Sequence, residues 1–263
     1  MKTLVILAAG MGRRFDGGIK QLTKVINNKT IMELSIMNAK MAGFNKVIFI
    51  IREELKSLFD KEIIPNIDIN YEYRYQKVNN NRLKPWGTGE AILTLKGIDE
   101  SFCLINSDDY YTYDAFSKIK KECGNATVLY KIKNTVFKDT LLNRGVCIVD
   151  NNYLSSIKEV TNIEKINNNY ISDENITGDT LVSMNMWGFN KDIILLFERE
   201  FEHFKENLND PINDEFMIPN ILNKLIKEKT IKVKTFITED KCFGITYNDD
   251  VKLFQMYIKS DNN

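Results

Sequence analysis

The chain has 263 residues, of which 43% are hydrophobic and 27% are charged, and this balance is enough to bury a full globular core. Lysine plus arginine and aspartate plus glutamate number 36 each, so the basic excess of a dedicated nucleic-acid binder is absent. The one histidine, His203, lies in a charged stretch that is typical of a solvated helix. This composition argues against a nucleic-acid partner and against Ser-His-Asp, Cys-His and multi-histidine zinc chemistry.

The four cysteines are far apart and lack metal-binding spacing, which favours buried thiols over metal ligands. The N-terminal run MKTLVILAAG is about as long as a strand and leads into Gly-x-Gly-Arg-Arg, whereas a signal peptide would lead into a small-residue cleavage site. No apolar run reaches the roughly 20 residues that span a bilayer. We therefore expect a cytoplasmic protein with no membrane partner.

Predicted strands and helices alternate along the first part of the chain. Strands are expected at residues 3–8, 46–51, 67–75 and 101–105, and helices at residues 30–42, 53–61 and 89–96. This alternation is typical of an α/β fold with a doubly wound, mostly parallel sheet, in a Rossmann-like three-layer αβα arrangement. In such sheets, ligands bind beyond the carboxyl ends of the strands.

The second half of the chain is less regular. Its apolar runs predict strands at residues 126–132, 145–149, 181–189 and 231–237, and helices at residues 191–204 and 215–228. No internal repeat is visible, and the length allows one large α/β domain. We therefore expect a single domain over residues 1–263.

A glycine-rich loop follows the first predicted strand directly. It comprises Leu7, Ala8, Ala9, Gly10, Met11, Gly12, Arg13 and Arg14. Glycines let backbone amides approach phosphate oxygens closely, and an arginine adds a charged donor. A dinucleotide site would need a third glycine where Phe15 stands, and a P-loop would need Gly-Lys-Ser/Thr. The alternative to a phosphate-binding loop is an ordinary strand-to-loop turn.

The segment LAAGMGRRF followed by KQL resembles the start of the nucleotidylyltransferases that have the sugar-nucleotide pyrophosphorylase fold. In that family the loop amides and an arginine hold the triphosphate, and a lysine contacts the α-phosphate. The resemblance therefore implies that residues 7–14 bind a nucleoside triphosphate and that Arg14 and Lys20 act in catalysis. Residues 1–125 would then form a nucleotide-binding half, and residues 126–263 an acceptor-binding half.

Three further segments resemble family motifs in the same order along the chain. Gln76 with Gly87 and Thr88 is similar to the family's Q…P-x-GTA-x-A segment, which contacts the base and lies near the ribose or acceptor. The strand end that carries Asp108 resembles the segment with the metal-binding aspartate. The strand that carries Asn185 resembles V-N-x-G-I-Y, which supplies acceptor contacts and a second metal ligand.

The resemblance implies a Mg²⁺ cofactor, because attacker and leaving group in nucleotidyl transfer are both anionic. Mg²⁺ takes one or two protein carboxylates and completes its shell with phosphate and water. Asp108 is the expected first ligand, and Asn185 or Asp192 the second. Taken alone, Asp108 could belong to a polar loop or cap a helix, and Asp192 could be an acidic residue in the first turn of a helix.

The acceptor-binding residues are expected in the second half of the chain. Arg144 and Gly145 resemble the family's Y-G-V-V segment, and Glu159 and Lys165 loosely resemble its E-K-P segment, in which the lysine binds the acceptor phosphate. The whole set implied by the resemblance is Asp109, Arg144, Gly145, Glu159, Lys165 and Asn185. The alternative for Lys165 is a solvated surface charge.

These features predict a Mg²⁺-dependent nucleotidyltransferase that uses a nucleoside triphosphate and a small phosphorylated acceptor. A sugar 1-phosphate is the first expectation, which would serve nucleotide-sugar and surface-polysaccharide biosynthesis. A cytidylyltransferase for phosphocholine or a polyol phosphate is an alternative, as is a catalytically silent regulatory protein that binds nucleotide sugars. The base, the acceptor, the second metal ligand and the oligomeric state, including a homo-oligomer, stay open.

Overall fold

The computed structural model describes residues 1–10, 22–79, 82–122, 124–167, 169–245 and 248–261. The strands are β1 (Thr3–Leu7), β2 (Lys24–Ile26), β3 (Lys29–Thr30), β4 (Lys46–Ile51), β5 (Asn70–Tyr75), β6 (Phe102–Asn106), β7 (Asp109–Tyr110), β8 (Ala126–Lys131), β9 (Thr140–Asp150), β10 (Tyr153–Ile166), β11 (Asn169–Ile171), β12 (Leu181–Phe189), β13 (Lys234–Thr238) and β14 (Phe243–Gly244). The α-helices are α1 (Ile31–Met41), α2 (Lys56–Glu62), α3 (Thr88–Leu93), α4 (Tyr113–Lys120), α5 (Ile193–Glu206), α6 (Ile218–Lys227) and α7 (Asn248–Asp261). In this part of the chain, no helix is long and apolar enough to cross a membrane.

One mixed sheet has the strand order β11-β10-β13-β8-β12-β6-β1-β4-β5, and β9 pairs with both β10 and β12. The neighbours β5, β4, β1 and β6 are parallel, as the alternating pattern predicts. Strand β12 is antiparallel to β6 and β8, while β13 is parallel to β8. Among the strands from β13 to β5, β12 alone is therefore reversed, and the predicted α/β fold class is confirmed.

A long antiparallel hairpin, β9 with β10, extends the sheet beyond its predicted part. The sequence pattern does not predict the 14-residue strand β10. The reason is that its register shifts between Leu154 and Ser156 and again between Val160 and Ile163. Each shift changes which side chains face the core, so no simple alternation of apolar and polar residues survives. The pattern also fails to predict α4 and α7.

Both faces of the central sheet are covered, which explains its continuous apolar strands. In β1, Leu4 and Ile6 belong to one core cluster, whereas Val5 belongs to the cluster on the other face. Trp187 of β12 is fully buried in the second cluster. The carboxyl ends of β1 and β6 consequently lie at one edge of a rigid sheet.

Helix α1 begins with a capping box. The backbone N–H of Glu33 donates to the hydroxyl of Thr30 at 3.1 Å, and the Thr30 N–H donates to the Glu33 carboxylate at 2.5 Å. Both side chains are buried, so these two bonds satisfy groups that water does not reach. The cap fixes the start of the helix whose Ser35 contacts the Asp109 segment, with the Ser35 hydroxyl 3.3 Å from the Asp109 carbonyl.

We predict that Thr30→Ala lowers the free energy of unfolding by about 1 kcal/mol, because the Glu33 N–H loses its acceptor. Urea unfolding of the variant beside the wild type measures the loss. Thr30→Ser is the matched control, since it keeps the hydroxyl and should recover most of the stability. Equal losses in the two variants would show that the methyl group, and not the cap, is responsible.

Candidate active site

The glycine-rich loop and the Asp108 segment start from neighbouring strand ends. Leu7 of β1 pairs with Asn106 of β6, and the Ser107 N–H donates to the Leu7 carbonyl at 3.2 Å. Ala8 is buried and Ala9 nearly so, whereas Gly10 is exposed at the start of the loop. The remaining predicted residues of the triphosphate grip lie outside the described residues, namely Met11, Gly12, Arg13, Arg14 and Lys20.

The two aspartates after β6 have different surroundings. Asp108 is half-buried, and its carbonyl accepts the Ile245 N–H at 2.9 Å. Asp109 is 8% exposed and pairs with Gly244 in a two-stranded sheet. A Cβ atom on Gly244 would lie 2.8 Å from Oδ1 of Asp109, so a glycine is required for the carboxylate to occupy this position.

A chain of hydrogen bonds with one fixed direction runs from Trp187 to Asp109. The indole N–H of Trp187 donates to Oδ1 of Asn185 at 2.8 Å, and Nδ2 of Asn185 donates to Oδ1 of Asn106 at 3.0 Å. Nδ2 of Asn106 then donates to Oδ2 of Asp109 at 2.8 Å. An indole can only donate and a carboxylate only accepts, so the orientation of both amides is determined. Asn106 is a site residue that the sequence analysis missed.

One backbone conformation and one buried hydroxyl support this chain of hydrogen bonds. Asn185 has a left-handed backbone (φ 58°) within the irregular part of β12, between Ser183 and Trp187. The hydroxyl of Tyr111 is fully buried, accepts the Asn106 N–H at 3.2 Å and donates to the Met184 carbonyl at 2.6 Å. Burial first, and then the charge of Asp109, raise the pKa of Tyr111 well above its usual value, which keeps the phenol a donor.

The predicted nucleotide residues Gln76, Gly87 and Thr88 lie together. Gln76 is buried, and its amide Nε2 donates to the Gly87 carbonyl at 2.9 Å and to the Glu90 carboxylate. Burial raises the pKa of Glu90, and the hydrogen bond from Gln76 partly offsets that rise. Gly87 has φ 118°, a conformation that favours glycine, and the hydroxyl of Thr88 accepts the Ile218 N–H at 3.2 Å.

A cavity of about 580 Å³ opens beside Asp109. Five of the six predicted acceptor residues line it: Asp109, Arg144, Gly145, Glu159 and Asn185. The wall also carries many uncharged polar side chains that can bind hydroxyl groups, namely Asn106, Thr135, Thr140, Asn143, Asn162, Ser183 and Asn185. The aromatic side chains Phe137 and Phe243 stack on each other in this wall, with ring centroids 3.9 Å apart.

Arg144 and Glu159 provide opposite charges in the cavity wall. The guanidinium of Arg144 donates to the Thr135 carbonyl at 3.2 Å and to the Asn143 carbonyl at 2.9 Å, so its head is held in place. Glu159 is exposed on the cavity wall, and neighbouring protein atoms desolvate its carboxylate only in part. This partial desolvation raises the pKa of Glu159, and the nearby Arg144 lowers it by a smaller amount.

Lys165 does not line the cavity. It is 8% exposed, and its Nζ donates to the Val136 carbonyl at 2.9 Å. Val136 itself lines the cavity, so Lys165 is connected to the cavity through this segment of the wall. Lys165 is therefore not a solvated surface charge, and its ammonium group does not face the cavity in which the acceptor phosphate is expected.

Asp192 lies at the wrong edge of the sheet to join Asp108. Strand β12 is reversed, and its end, Phe189, pairs with Phe102 at the start of β6. Asp192 follows that end and is exposed, whereas Asp108 follows the opposite end of β6. The register therefore removes Asp192 from the predicted set of metal ligands.

The residues of the site fit a hard cation such as Mg²⁺, most of whose ligands would be phosphate and water oxygens. In the described part of the chain, no group of three or more His, Cys, Asp or Glu side chains is arranged to hold a metal. Mg²⁺ needs only one or two protein carboxylates when phosphate and water complete its shell, and Asp108 offers one near the start of the loop. Oδ1 of Asn185 already accepts the Trp187 N–H, which makes the amide a weaker candidate for the second ligand.

Comparison with known proteins adds a family and a set of similar folds. A family model described as nucleotidyl transferase matches residues 3–206, and no curated protein matches the chain by sequence. A crystal structure of UDP-glucose pyrophosphorylase complexed with UDP-glucose has 18% identity and a TM-score of 0.68, covering 99% of each chain. The inositol-1-phosphate CTP transferase from T. maritima has 15% identity and a TM-score of 0.69, covering 98% of this chain and 96% of its own. A putative glucose-1-phosphate thymidylyltransferase from Bacillus anthracis has 12% identity and a TM-score of 0.66, with coverages of 97% and 94%.

We predict that Gly244→Ala lowers the free energy of unfolding by about 1–3 kcal/mol, because the new methyl group meets the Asp109 carboxylate in a closely packed position. Thermal and urea unfolding measure the change. Gly178→Ala is the control, since its Cβ would make only ordinary van der Waals contacts, at 3.5 Å with Lys133 and at 3.8 Å with Tyr170. If the two alanine variants were equally stable, the close approach of Asp109 to Gly244 would be refuted.

The raised pKa of Glu159 predicts how stability depends on pH. The folded state holds the proton more tightly than the unfolded chain, so the ionised carboxylate destabilises the fold at pH values above its folded pKa. Glu159→Gln should therefore be more stable than the wild type near neutral pH, with the difference shrinking as the pH falls. Urea unfolding between about pH 4 and pH 8 measures this difference. A difference that grows toward low pH would contradict the assignment.

Proposed function

The chain belongs to the nucleotidyl transferase family, and from this premise we propose that it transfers a nucleoside monophosphate from a nucleoside triphosphate to a small phosphorylated acceptor, with release of pyrophosphate. The observation that carries the proposal is the arrangement around Asp108 and Asp109. The glycine-rich loop begins next to this pair, at Leu7, and the 580 Å³ cavity opens on the Asp109 side. Two substrates could thus meet at the end of β6, as the transfer requires.

The proposed reaction needs no general base. The acceptor phosphate is already an oxyanion near neutral pH, and it attacks the α-phosphorus in line. A new P–O bond forms to the acceptor, the bond between the α-phosphorus and the bridging oxygen breaks, and the electron pair leaves with pyrophosphate. The chain therefore has to orient the reactants and stabilise negative charge, which agrees with its single histidine.

Each part of the site has a proposed role in this scheme. The resemblance assigns the triphosphate to the 7–14 loop with Arg14, the α-phosphate to Lys20, and the base to Gln76 and Gly87. Mg²⁺, held by Asp108 together with phosphate oxygens, would neutralise charge on the triphosphate. Asn106 and Asn185 orient the Asp109 carboxylate toward the acceptor side through the hydrogen bonds described above.

A sugar 1-phosphate is the acceptor that the cavity wall favours. Amide and hydroxyl side chains such as Asn143, Asn162 and Ser183 match a ligand with several hydroxyl groups. A quaternary ammonium group would instead favour aromatic faces open to the cavity, whereas Phe137 and Phe243 stack on each other. Two of the solved structures named above, a UDP-glucose pyrophosphorylase and a putative glucose-1-phosphate thymidylyltransferase, agree with this preference. The third, an inositol-1-phosphate CTP transferase, corresponds to the polyol phosphate alternative.

The proposal is tested with a matrix of ATP, CTP, GTP, UTP and dTTP against sugar 1-phosphates, inositol 1-phosphate and phosphocholine, in the presence of Mg²⁺. Pyrophosphate release should depend on both substrates and be fastest with one NTP and one sugar 1-phosphate. Fastest release with CTP and either phosphocholine or inositol 1-phosphate would favour the cytidylyltransferase alternative over the sugar 1-phosphate. If every pair were inactive although the protein bound nucleotide sugars, the regulatory alternative would be favoured.

We predict that Asp108→Asn reduces turnover at least about a hundredfold with little loss of stability, because a carboxylate charge near the phosphates is removed while the shape is kept. Steady-state rates of pyrophosphate release measure the effect. Asp192→Asn is the matched control at the opposite edge of the sheet and should retain wild-type turnover. Equal losses in both variants would contradict the register argument that separates the two aspartates.

A further inference from the structure

Arg82 is an unusual residue for its position. It is 6% exposed, and its guanidinium lies over the ring of Trp86 at 3.8 Å from the centroid. Nη1 donates to the Pro211 carbonyl at 2.6 Å, and Nη2 donates to the Asp214 carbonyl at 2.7 Å. Arginines are seldom buried to this degree, and a planar guanidinium can bridge two carbonyls where an ammonium cannot.

The two carbonyls belong to the connection between α5 and α6, residues 207–217, which we call the 207–217 connection. It is joined at several further points to residues 84–89, which include Gly87 and Thr88 and which we call the nucleotide segment. The Phe216 N–H donates to the Trp86 carbonyl at 2.5 Å, the Gly89 N–H donates to the Phe216 carbonyl at 2.8 Å, and Lys84 forms an ion pair with Glu215. The nucleotide segment is therefore held in place by chain that lies about 130 residues away in the sequence.

The glycines of the nucleotide segment make this contact close. A Cβ on Gly87 would lie 2.8 Å from the Phe216 carbonyl oxygen, and a Cβ on Gly89 would lie 2.7 Å from the Phe216 ring. The position of Gly87, whose carbonyl receives the amide of Gln76, thus depends on the position of residue 216. A movement of Phe216 toward the nucleotide segment would therefore displace Gly87, one of the proposed base-binding residues.

The other side of the same connection reaches the acceptor cavity. Met217, the last residue of the 207–217 connection, lines the cavity together with Pro219 in the first turn of α6. The hydroxyl of Thr88 accepts the N–H of Ile218, which lies between them. One short segment therefore contacts the proposed nucleotide residues on one side and forms part of the acceptor wall on the other.

We propose that Arg82 is a positioning residue that couples the two substrate sites by fixing the 207–217 connection against the nucleotide segment. The inference rests on the proposed function, because it assigns the nucleotide to Gln76 and Gly87. A loose 207–217 connection would leave the base-binding residues poorly ordered, so nucleotide binding would have to pay the ordering entropy. A loose 207–217 connection would also displace Met217 from the wall of the acceptor cavity.

The first test measures equilibrium binding of the NTP that the wild type binds best, with Mg²⁺ and without acceptor. Arg82→Met should weaken binding about tenfold, which corresponds to about 1.4 kcal/mol. Arg82→Lys keeps the charge but can reach only one carbonyl, so its affinity should be intermediate. Arg199→Met removes an arginine that pairs with Glu200 on α5 and should leave the affinity within about twofold of the wild type.

The second test measures amide hydrogen exchange over residues 207–218. Bound NTP should slow exchange there in the wild type, and this protection should be lost in Arg82→Met. In the same variant the KM for the acceptor should rise by a larger factor than kcat falls, because the wall is displaced while the reacting groups remain. Should Arg82→Met fail to fold, Arg82→Lys carries the same comparisons.

Failure of the proposed function and failure of the role of Arg82 give different results in these tests. If the wild type binds no NTP, the proposed function fails. If the wild type binds NTP and the Arg82 variants bind it equally well, with the same protection of residues 207–218, the proposed function stands and the role of Arg82 is overturned. Faster exchange or a lower melting temperature without a change in NTP affinity would likewise leave Arg82 a purely structural residue.

Discussion

The parallel pairing of β1 with β6 is the constraint on which the candidate site depends. Because Leu7 pairs with Asn106, the loop that follows β1 and the polar turn that follows β6 must emerge side by side. Both strands are buried on both faces of the sheet, so this register cannot slip without exposing an apolar strand. A general property of parallel sheets thereby brings the start of the predicted phosphate-binding loop next to a pair of aspartates.

The reversed strand β12 adds the second half of the site. Its irregular backbone at Asn185 directs an amide toward Asn106, and Trp187 fixes that amide from behind. The charged end of this chain of hydrogen bonds is Asp109, at the border of the cavity. The cavity wall and the strand end that precedes Asp108 are thus joined by hydrogen bonds, and the chemistry of indole and carboxylate determines the direction of these bonds.

The sequence predicts the elements whose signal is local. The strands Lys46–Ile51 and Leu181–Phe189 have the predicted bounds, because each is a continuous apolar run. The strand β10 is not predictable in this way, since its register shifts disturb the alternation. The direction of β12 has no local signal either. The sequence therefore places Asp192 with Asp108, whereas in the structure the reversed β12 puts Asp192 at the opposite edge of the sheet.

The candidate site is predictable to the extent that its residues occur in motifs. Gln76, Gly87 and Asp109 stand in recognisable segments. The structure brings Gly87 into contact with Gln76, which directly follows β5, and brings Asp109 to the cavity. Asn106 gives no such signal, because an asparagine at the end of a strand is typical of any turn. Arg82 gives none either, since its partners are about 130 residues away and only the folded chain brings them together.

The fate of an isotopic label tests the central claim most directly. The protein is incubated with the preferred acceptor and NTP that carries ³²P either at the α-phosphate or at the γ-phosphate. Nucleotidyl transfer predicts that the α-label appears in a phosphatase-resistant product that joins nucleoside and acceptor through two phosphates, while the γ-label leaves as pyrophosphate. An α-label recovered as free nucleoside monophosphate, or a γ-label found in the acceptor, would contradict the account.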